Sequence, residues 1–246
     1  MSEPLVGLGC ADAIATLTLN RADKRNALNL ALWGELEAHL AAIEAAGEDI
    51  AVVVLRAAGR VFCAGNDLKE RGVQTPAPNY QARIVTRLAS LPQPVIVAVQ
   101  GGCYTGGLEL ALAGDIIVAG ESAVFADTHG KFALVPVWGM SQRLPRRVGQ
   151  WKAREMSFTG LPVSGAEAAR IGLANHCVPD ADLEAKTSEI AEAIAGQSRH
   201  SVFAYKRLYT QQADLALEAG LAHEVFASAG VGGDFAERVA GQFGKA

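Results

Sequence analysis

Two short, unbroken apolar runs constrain the fold of this chain more than any other feature. Residues 51–55 (AVVVL) and 95–99 (VIVAV) contain no polar side chain. Such runs are typical of strands buried on both faces of a parallel sheet. An alternating strand pattern at 13–19 and a helical apolar spacing over 28–46, ending at Gly47, precede the first run. This order of strand, helix and strand predicts an α/β core with crossover helices.

The rest of the chain divides into a mixed part and a helical part. Its patterns predict helices over 81–91 and 106–113, strands over 115–119, 123–125 and 173–178, and helices over 151–158, 165–170, 183–195, 201–210, 215–228 and 234–239. We therefore expect an α/β core over residues 1–190 and a helical C-terminal lobe over 191–246, together forming one functional unit.

Charge and composition exclude several classes of function. The 246 residues carry a net charge of −4 and no clustered basic stretch, which argues against nucleic-acid binding. No apolar run reaches the length of a membrane span, and the N-terminus lacks the pattern of a signal peptide. The four cysteines form no C-x-x-C pair, so we expect reduced thiols in the core. These features predict a soluble cytoplasmic protein that binds neither membrane nor nucleic acid.

Two loops that follow the buried strands are candidates for a functional site. They cover residues 61–69 and 100–109, and the second contains a glycine pair, Gly106 and Gly107, that opens an apolar helix. A helix start presents free N–H groups that stabilise an oxyanion, although glycines there also serve simply to allow a tight turn. Glu109, in the first helical turn, either complements the helix dipole or acts as a general acid or base.

Five segments, in the same order along the chain, resemble the crotonase superfamily, the enoyl-CoA hydratase/isomerase family. They are residues 17–29 (LTLNRADKRNALN), 62–69 (FCAGNDLK), 100–115 (QGGCYTGGLELALAGD), 138–147 and 167–179. The resemblance implies a spiral core of ββα turns and a helical trimerisation lobe, in a trimer or a dimer of trimers. It also implies a coenzyme A thioester as substrate, with no separate cofactor and no metal.

The resemblance assigns roles to individual residues. The backbone amides of Asn66 and Gly106 correspond to the two that hold the thioester oxygen, and Glu109 to the main acid/base. The positions that correspond to coenzyme A contacts are Arg25, Ala64, Asp67, Leu68, Lys69, Phe235 and Arg238, the last two often contacting a neighbouring subunit.

The sequence departs from the family pattern where hydratases hold a second glutamate. His129 occupies that position, either as a second acid/base or as a side chain that only lines the pocket. Asp127 can orient His129 only if the backbone brings the two side chains together. Glycine positions of the family are filled by Thr105, Val137 and Met140, which should narrow the acyl pocket. Asp115 is expected to be structural. Four further histidines lack metal-ligand spacing and are expected to be structural or surface residues: His39, His176, His200 and His223.

Three functions are consistent with these residues. The first is hydration of a trans-2-enoyl-CoA to a 3-hydroxyacyl-CoA, with Glu109 as acid/base and His129 in place of the second glutamate. The second is isomerisation of a 3-enoyl-CoA to the 2-enoyl form, for which one carboxylate suffices. The third is acyl-CoA binding with little catalysis.

Overall fold

A parallel sheet forms the centre of the computed structural model, which describes residues 3–70 and 72–243. The strands are β1 (Val6–Ala11), β2 (Ile14–Leu19), β3 (Val52–Ala57), β4 (Val95–Val99), β5 (Gly102–Tyr104), β6 (Ile116–Gly120), β7 (Val124–Ala126), β8 (Val163–Ser164) and β9 (His176–Val178). The large sheet has the order β1-β2-β3-β4-β6-β9, and the small sheet has the order β5-β7-β8.

Strand pairing follows the prediction from the apolar runs. Strands β2, β3, β4, β6 and β9 run parallel to one another, and β1 is antiparallel to β2. In β4 every side chain is buried, as expected for a strand covered on both faces. In the small sheet β5 is parallel to β7. Because β4 leads directly into β5, the small sheet begins where the central strand of the large one ends.

Helices cover both faces of the sheet and form the C-terminal part of the chain. They are α1 (Leu30–Ala46), α2 (Tyr80–Ala89), α3 (Gly106–Ala111), α4 (Met140–Val148), α5 (Gln150–Thr159), α6 (Gly165–Arg170), α7 (Leu183–Ala195), α8 (Arg199–Gln212), α9 (Leu217–Phe226) and α10 (Phe235–Phe243). Among the helices in the described part of the chain, none combines the length and the apolar composition needed to cross a lipid bilayer. The cytoplasmic location stays a prediction.

The C-terminal helices differ from the core in burial. Helices α8 and α9 have no fully buried residue among those the structure describes, and their apolar side chains include Leu217, 80% exposed, and Phe226, 94% exposed. Helix α7 instead packs on β3, β4 and β6 and spans residue 190. The division of the chain at residue 190 stays a prediction.

Four strands and helices were not expected from the sequence, and one of them is β8, a two-residue strand too short to show a pattern. Strand β1 contains Gly7 and Gly9, which weaken the alternating strand pattern. Strand β5 lies within the segment predicted to be a glycine-rich turn. Helix α4 contains Pro145, which disfavours a helix on sequence grounds. The α/β class itself is as predicted.

Candidate active site

The two candidate loops are joined by main-chain hydrogen bonds. Cys63 and Cys103 are bridge partners: the N–H of Cys63 donates to the carbonyl of Gly102 at 3.0 Å, and the N–H of Tyr104 donates to the carbonyl of Cys63, also at 3.0 Å. Loop 61–69 therefore runs beside β5, as an added strand would. This pairing brings Asn66 to the start of α3, where Gly106 lies.

The amides predicted to hold an oxyanion line the same cavity. Asn66 and Gly106 both contribute to its wall, and neither N–H donates a main-chain hydrogen bond to a residue that the structure describes. Gly106 is the first residue of α3, where an N–H has no partner within the helix. A Cβ on Gly65 would lie 3.4 Å from the Gly106 nitrogen, which shows how closely the loops approach. Both residues therefore line one cavity, and their role as an oxyanion site stays a prediction.

The glycine pair is required by packing and not by a left-handed turn. Neither Gly106 nor Gly107 has a positive φ. A Cβ on Gly106 would lie 2.3 Å from the Trp138 ring, and one on Gly107 would lie 2.6 Å from the Cys63 carbonyl oxygen. Trp138 is itself held edge-on by Trp33, with ring centroids 5.1 Å apart. Glycine is therefore needed at 106 and 107 because neighbouring atoms leave no room for a side chain, and not because the chain makes a tight turn there.

Glu109 faces the cavity from the first turn of α3 and is 2% exposed. Its Oε1 accepts hydrogen bonds from two main-chain amides, Trp138 N at 2.8 Å and Met140 N at 3.2 Å. Because both bonds use Oε1, Oε2 is left to face the cavity. Two main-chain donors fix the carboxylate in one rotamer, as a general acid or base requires.

Arg143 supports the turn that holds Glu109. Its guanidinium donates to the Trp138 carbonyl oxygen at 2.7 Å and packs beneath Gly139, whose φ is +113°. Burial lowers the pKa of Arg143, and the Glu109 carboxylate opposes that shift. The charge of Arg143 thus balances Glu109 from outside the cavity.

His129 lies opposite Glu109 and contacts Asp127. Its Nδ1 is 2.6 Å from Asp127 Oδ1, and its Nε2 is 3.6 Å from Glu109 Oε2. The sequence left the Asp127–His129 contact open. It occurs because β7 ends at Ala126 and a short 3-10 helix starts at His129, which turns the imidazole back towards the carboxylate.

Electrostatics favour a charged imidazole. Burial opposes the charge of His129, but the carboxylates of Asp127 and Glu109 outweigh it and raise the pKa of His129 to about 9. Burial also opposes the charge of Asp127, but the hydrogen bonds from His129 and the nearby Ser157 side chain outweigh burial and lower the pKa of Asp127. At neutral pH the pair is therefore imidazolium and carboxylate.

The cavity has a volume of about 470 Å³, within the range of small-molecule sites. Of the residues predicted to contact coenzyme A, four line it, and Thr105 and Val137 also do so. The four are Arg25, Ala64, Asp67 and Leu68. Arg21 pairs with Asp67 at 2.7 Å and lowers the pKa of that carboxyl, which fixes the loop at the cavity mouth.

The other predicted contacts lie outside the cavity of this subunit. Lys69 is exposed in the short helix that follows Leu68. Phe235 and Arg238 are on α10, where Arg238 pairs with Asp234 and donates to the Gly196 carbonyl oxygen at 3.0 Å. Their contact with coenzyme A stays a prediction.

Several other residues have structural surroundings. Asp115 accepts from Val95 N at 2.7 Å and pairs with Lys206 at 2.7 Å, joining the sheet to α8. Cys63 and Cys103 are buried free thiols, and burial raises the pKa of Cys63 to about 12. Cys10 is exposed, so the prediction of a core thiol is wrong there, because β1 is an edge strand.

Among the remaining histidines, three ring nitrogens lie near a protein oxygen. His39 is 2.9 Å from the Val6 carbonyl, His200 is 3.2 Å from the Gly230 carbonyl, and His223 is 3.1 Å from Gln211. His176 is exposed in β9.

The sequence did not point to the turn that positions Glu109. Trp138 and Met140 act there through main-chain N–H groups, which every non-proline residue carries, so residue type gives no signal. Gly139 before α4 was the available clue, since its left-handed φ favours glycine.

Comparison with known proteins gives one consistent family. The family model "Enoyl-CoA hydratase/isomerase" matches residues 9–230. A probable peroxisomal enoyl-CoA hydratase of Arabidopsis thaliana is 37% identical, over 78% of this chain and 73% of that protein. A putative enoyl-CoA hydratase/isomerase of Bacillus subtilis is 38% identical, over 86% of this chain and 83% of that protein.

A solved structure supports the same assignment. The crystal structure of enoyl-CoA hydratase from Bacillus anthracis superimposes with a TM-score of 0.90 at 36% identity, covering 96% of this chain and 94% of that one. The resemblance seen in the sequence is thereby confirmed. With its paired loops and its glutamate at the start of α3, the chain belongs to the enoyl-CoA hydratase/isomerase family.

Proposed function

We propose that this protein adds water to a trans-2-enoyl-CoA, giving a 3-hydroxyacyl-CoA. The observation that carries the proposal is the position of Glu109, fixed by two main-chain amides in a cavity that also contains the free N–H groups of Asn66 and Gly106. A base and an oxyanion site in one cavity are what addition to a conjugated thioester requires.

The proposed reaction uses these groups in turn. Glu109 takes a proton from water as the water oxygen bonds to C3. The electron pair of the double bond moves through C2 to the thioester oxygen, where the amides of Asn66 and Gly106 stabilise the enolate; one such donor typically contributes about 3 kcal/mol. The enolate then collapses and C2 takes a proton from His129. Glu109 returns its proton to His129, so the reaction needs no cofactor beyond the coenzyme A of the substrate.

The test measures loss of the enoyl-thioester absorbance with short- and medium-chain 2-enoyl-CoAs. We expect turnover by the wild type and a loss of roughly 10³- to 10⁴-fold in Glu109→Gln, because the amide cannot accept the proton of water. Asp115→Asn is the matched control, since Asp115 is not among the described residues that line the cavity. A wild type inert on every 2-enoyl-CoA would reject hydration.

Isomerisation of a 3-enoyl-CoA is the second candidate. The observation in its favour is that Glu109 is the one glutamate among the described residues that line the cavity. A single base can move a proton from the α to the γ carbon. Appearance of the conjugated absorbance from a 3-enoyl-CoA, faster than its loss from the 2-enoyl isomer, would select this function; tight acyl-CoA binding without either reaction would select a binding role.

We also propose that the protein is a homo-oligomer, a trimer or a dimer of trimers. The exposed apolar side chains of α9, including Leu217, Val225 and Phe226, support an interface that covers them. In such an assembly Phe235 and Arg238 would reach the coenzyme A of a neighbouring subunit. Light scattering after size exclusion gives the mass, and a monomer at micromolar concentration would reject the assembly.

A further inference from the structure

We propose that Asp127 is a positioning residue: its carboxylate fixes the imidazole of His129 and keeps it protonated, so that Nε2 can give a proton to C2 of the substrate. This inference deepens the proposed hydration and rests on it. It assigns to Asp127 and His129 together the task for which hydratases of this family use a second glutamate.

The geometry around Asp127 leaves His129 a single orientation. Asp127 Oδ1 accepts from the Nδ1 of His129 at 2.6 Å and from its main-chain N at 3.2 Å. The two bonds share one oxygen and close a small ring, which restricts both torsions of the imidazole. Asp127 is 3% exposed, and the Ser157 side chain of α5 contributes to lowering the pKa of its carboxyl. The carboxylate is thus buried and bonded twice to His129.

Because Nδ1 donates to Asp127, Nε2 is the nitrogen left for the cavity. Its distance of 3.6 Å to Glu109 Oε2 exceeds that of a hydrogen bond. The proton on Nε2 is therefore not shared in a hydrogen bond with Glu109 and is available to a substrate atom that approaches Nε2 from the cavity. A neutral His129 with its proton on Nδ1 has only a lone pair at Nε2. The role of proton donor therefore requires the imidazolium.

The surrounding charges favour that form. Asp127 and Glu109 face the imidazole from β7 and α3, and Arg143 of α4 lies beyond Glu109. Helix α5 presents the uncharged Ser157 hydroxyl, while Lys131, on the segment of His129 itself, extends towards Gly160. Two close carboxylates thus act on one buried imidazole, in agreement with its raised pKa.

The proton balance of the step is complete. The enolate electron pair forms the C2–H bond with the proton from Nε2, and the N–H bonding pair stays on nitrogen as a lone pair. The proton that water gave to Glu109 then moves across to Nε2 and restores the starting state. One water is added, and the side chains are unchanged.

Asp127→Asn separates charge from shape, because asparagine keeps an acceptor oxygen for Nδ1. We would titrate ¹³Cε1-labelled histidine by NMR in the enzyme without substrate, with His129→Gln identifying the resonance. The wild-type resonance should titrate near pH 9, and that of Asp127→Asn about 1 to 2 pH units lower. The alkaline limb of kcat should move down by the same amount. Asp115→Asn, which removes a carboxylate paired with Lys206, should change neither.

Three outcomes would overturn the inference. A wild-type His129 that titrates at or below pH 6.5 would do so without any variant. If His129 titrated at the same pH in Asp127→Asn as in the wild type, Asp127 would not keep the imidazole protonated. If the titration shifted but the pH profile of kcat did not, His129 would not be the acid that protonates C2. Since the NMR titration uses no substrate, an enzyme inert on every 2-enoyl-CoA but with the expected titration would overturn hydration and leave the Asp127–His129 pair established.

Discussion

The two sides of the candidate cavity are fixed by different kinds of group. On one side, main-chain amides of Trp138 and Met140 hold Glu109. On the other, the Asp127 side chain holds His129. The first side depends on backbone position, so substitutions there act by moving the chain. The second side depends on charge, so it should respond to side-chain chemistry and pH.

Among substitutions that leave Glu109 itself unchanged, the largest effect is expected from Gly106→Ala. The new Cβ would lie 2.3 Å from the Trp138 ring, and moving Trp138 displaces both the Gly106 amide and the amide that holds Glu109. We expect kcat/KM for a 2-enoyl-CoA to fall roughly 10³-fold. Gly130→Ala is the matched control beside His129, because a Cβ there meets no described atom within 4 Å. Equal activities of Gly106→Ala and Gly130→Ala would contradict the conclusion that backbone position fixes the Glu109 side of the cavity.

A smaller loss is expected from His129→Gln. Glutamine can donate a hydrogen bond but cannot transfer a proton, so kcat should fall roughly 10²-fold with KM little changed. Steady-state kinetics provide the measurement. His39→Gln, at a histidine bonded to the Val6 carbonyl, should behave as wild type. If His129→Gln retained the wild-type kcat, the imidazole would only line the pocket.

The smallest effect is on stability and depends on pH. The pKa of folded His129, about 9, lies above the usual histidine pKa of 6.5, so its stabilising contribution is complete below pH 6.5 and is lost as pH rises through 9. Urea unfolding should show His129→Gln less stable than wild type by on the order of 1–3 kcal/mol at pH 6. The part of this difference that comes from the imidazolium charge should be lost by pH 10. If the stability difference between wild type and His129→Gln grew as pH rose, the conclusion that folding favours the protonated imidazole would be wrong.

Most of the core could be predicted because its signals are periodic. The apolar runs predicted β3 and β4, and the spacing of Leu32, Leu36 and Leu40 predicted α1. Helix α4 was missed because its stabilising contacts come from the site: the main-chain N–H of Met140, at its first residue, bonds to Glu109. No local pattern in the sequence contains that information.

The site was predictable where residue type carries the chemistry. The carboxylate in an apolar helix made Glu109 a candidate and the glycine pair did the same for Gly106, and the resemblance then gave each its role, which stays a prediction. The Asp127–His129 bond was not, because it depends on the chain leaving β7 after Ala126, and residues two apart in a continued strand would only share a face. Positions taken from the resemblance alone, such as Phe235, remain predictions.

The interlock of Gly106 and Trp138 bears on how such an enzyme can be redesigned. The indole of Trp138 fills the space that a side chain at 106 would need, so residues 106 and 138 have to be changed together. Enlarging the cavity by shrinking Trp138 would also remove the surface against which the first turn of α3 and the ring of Trp33 are packed. A library that randomises Trp138 alone should therefore yield mostly loosened enzymes, whereas paired changes at 106 and 138 offer a route to new acyl groups.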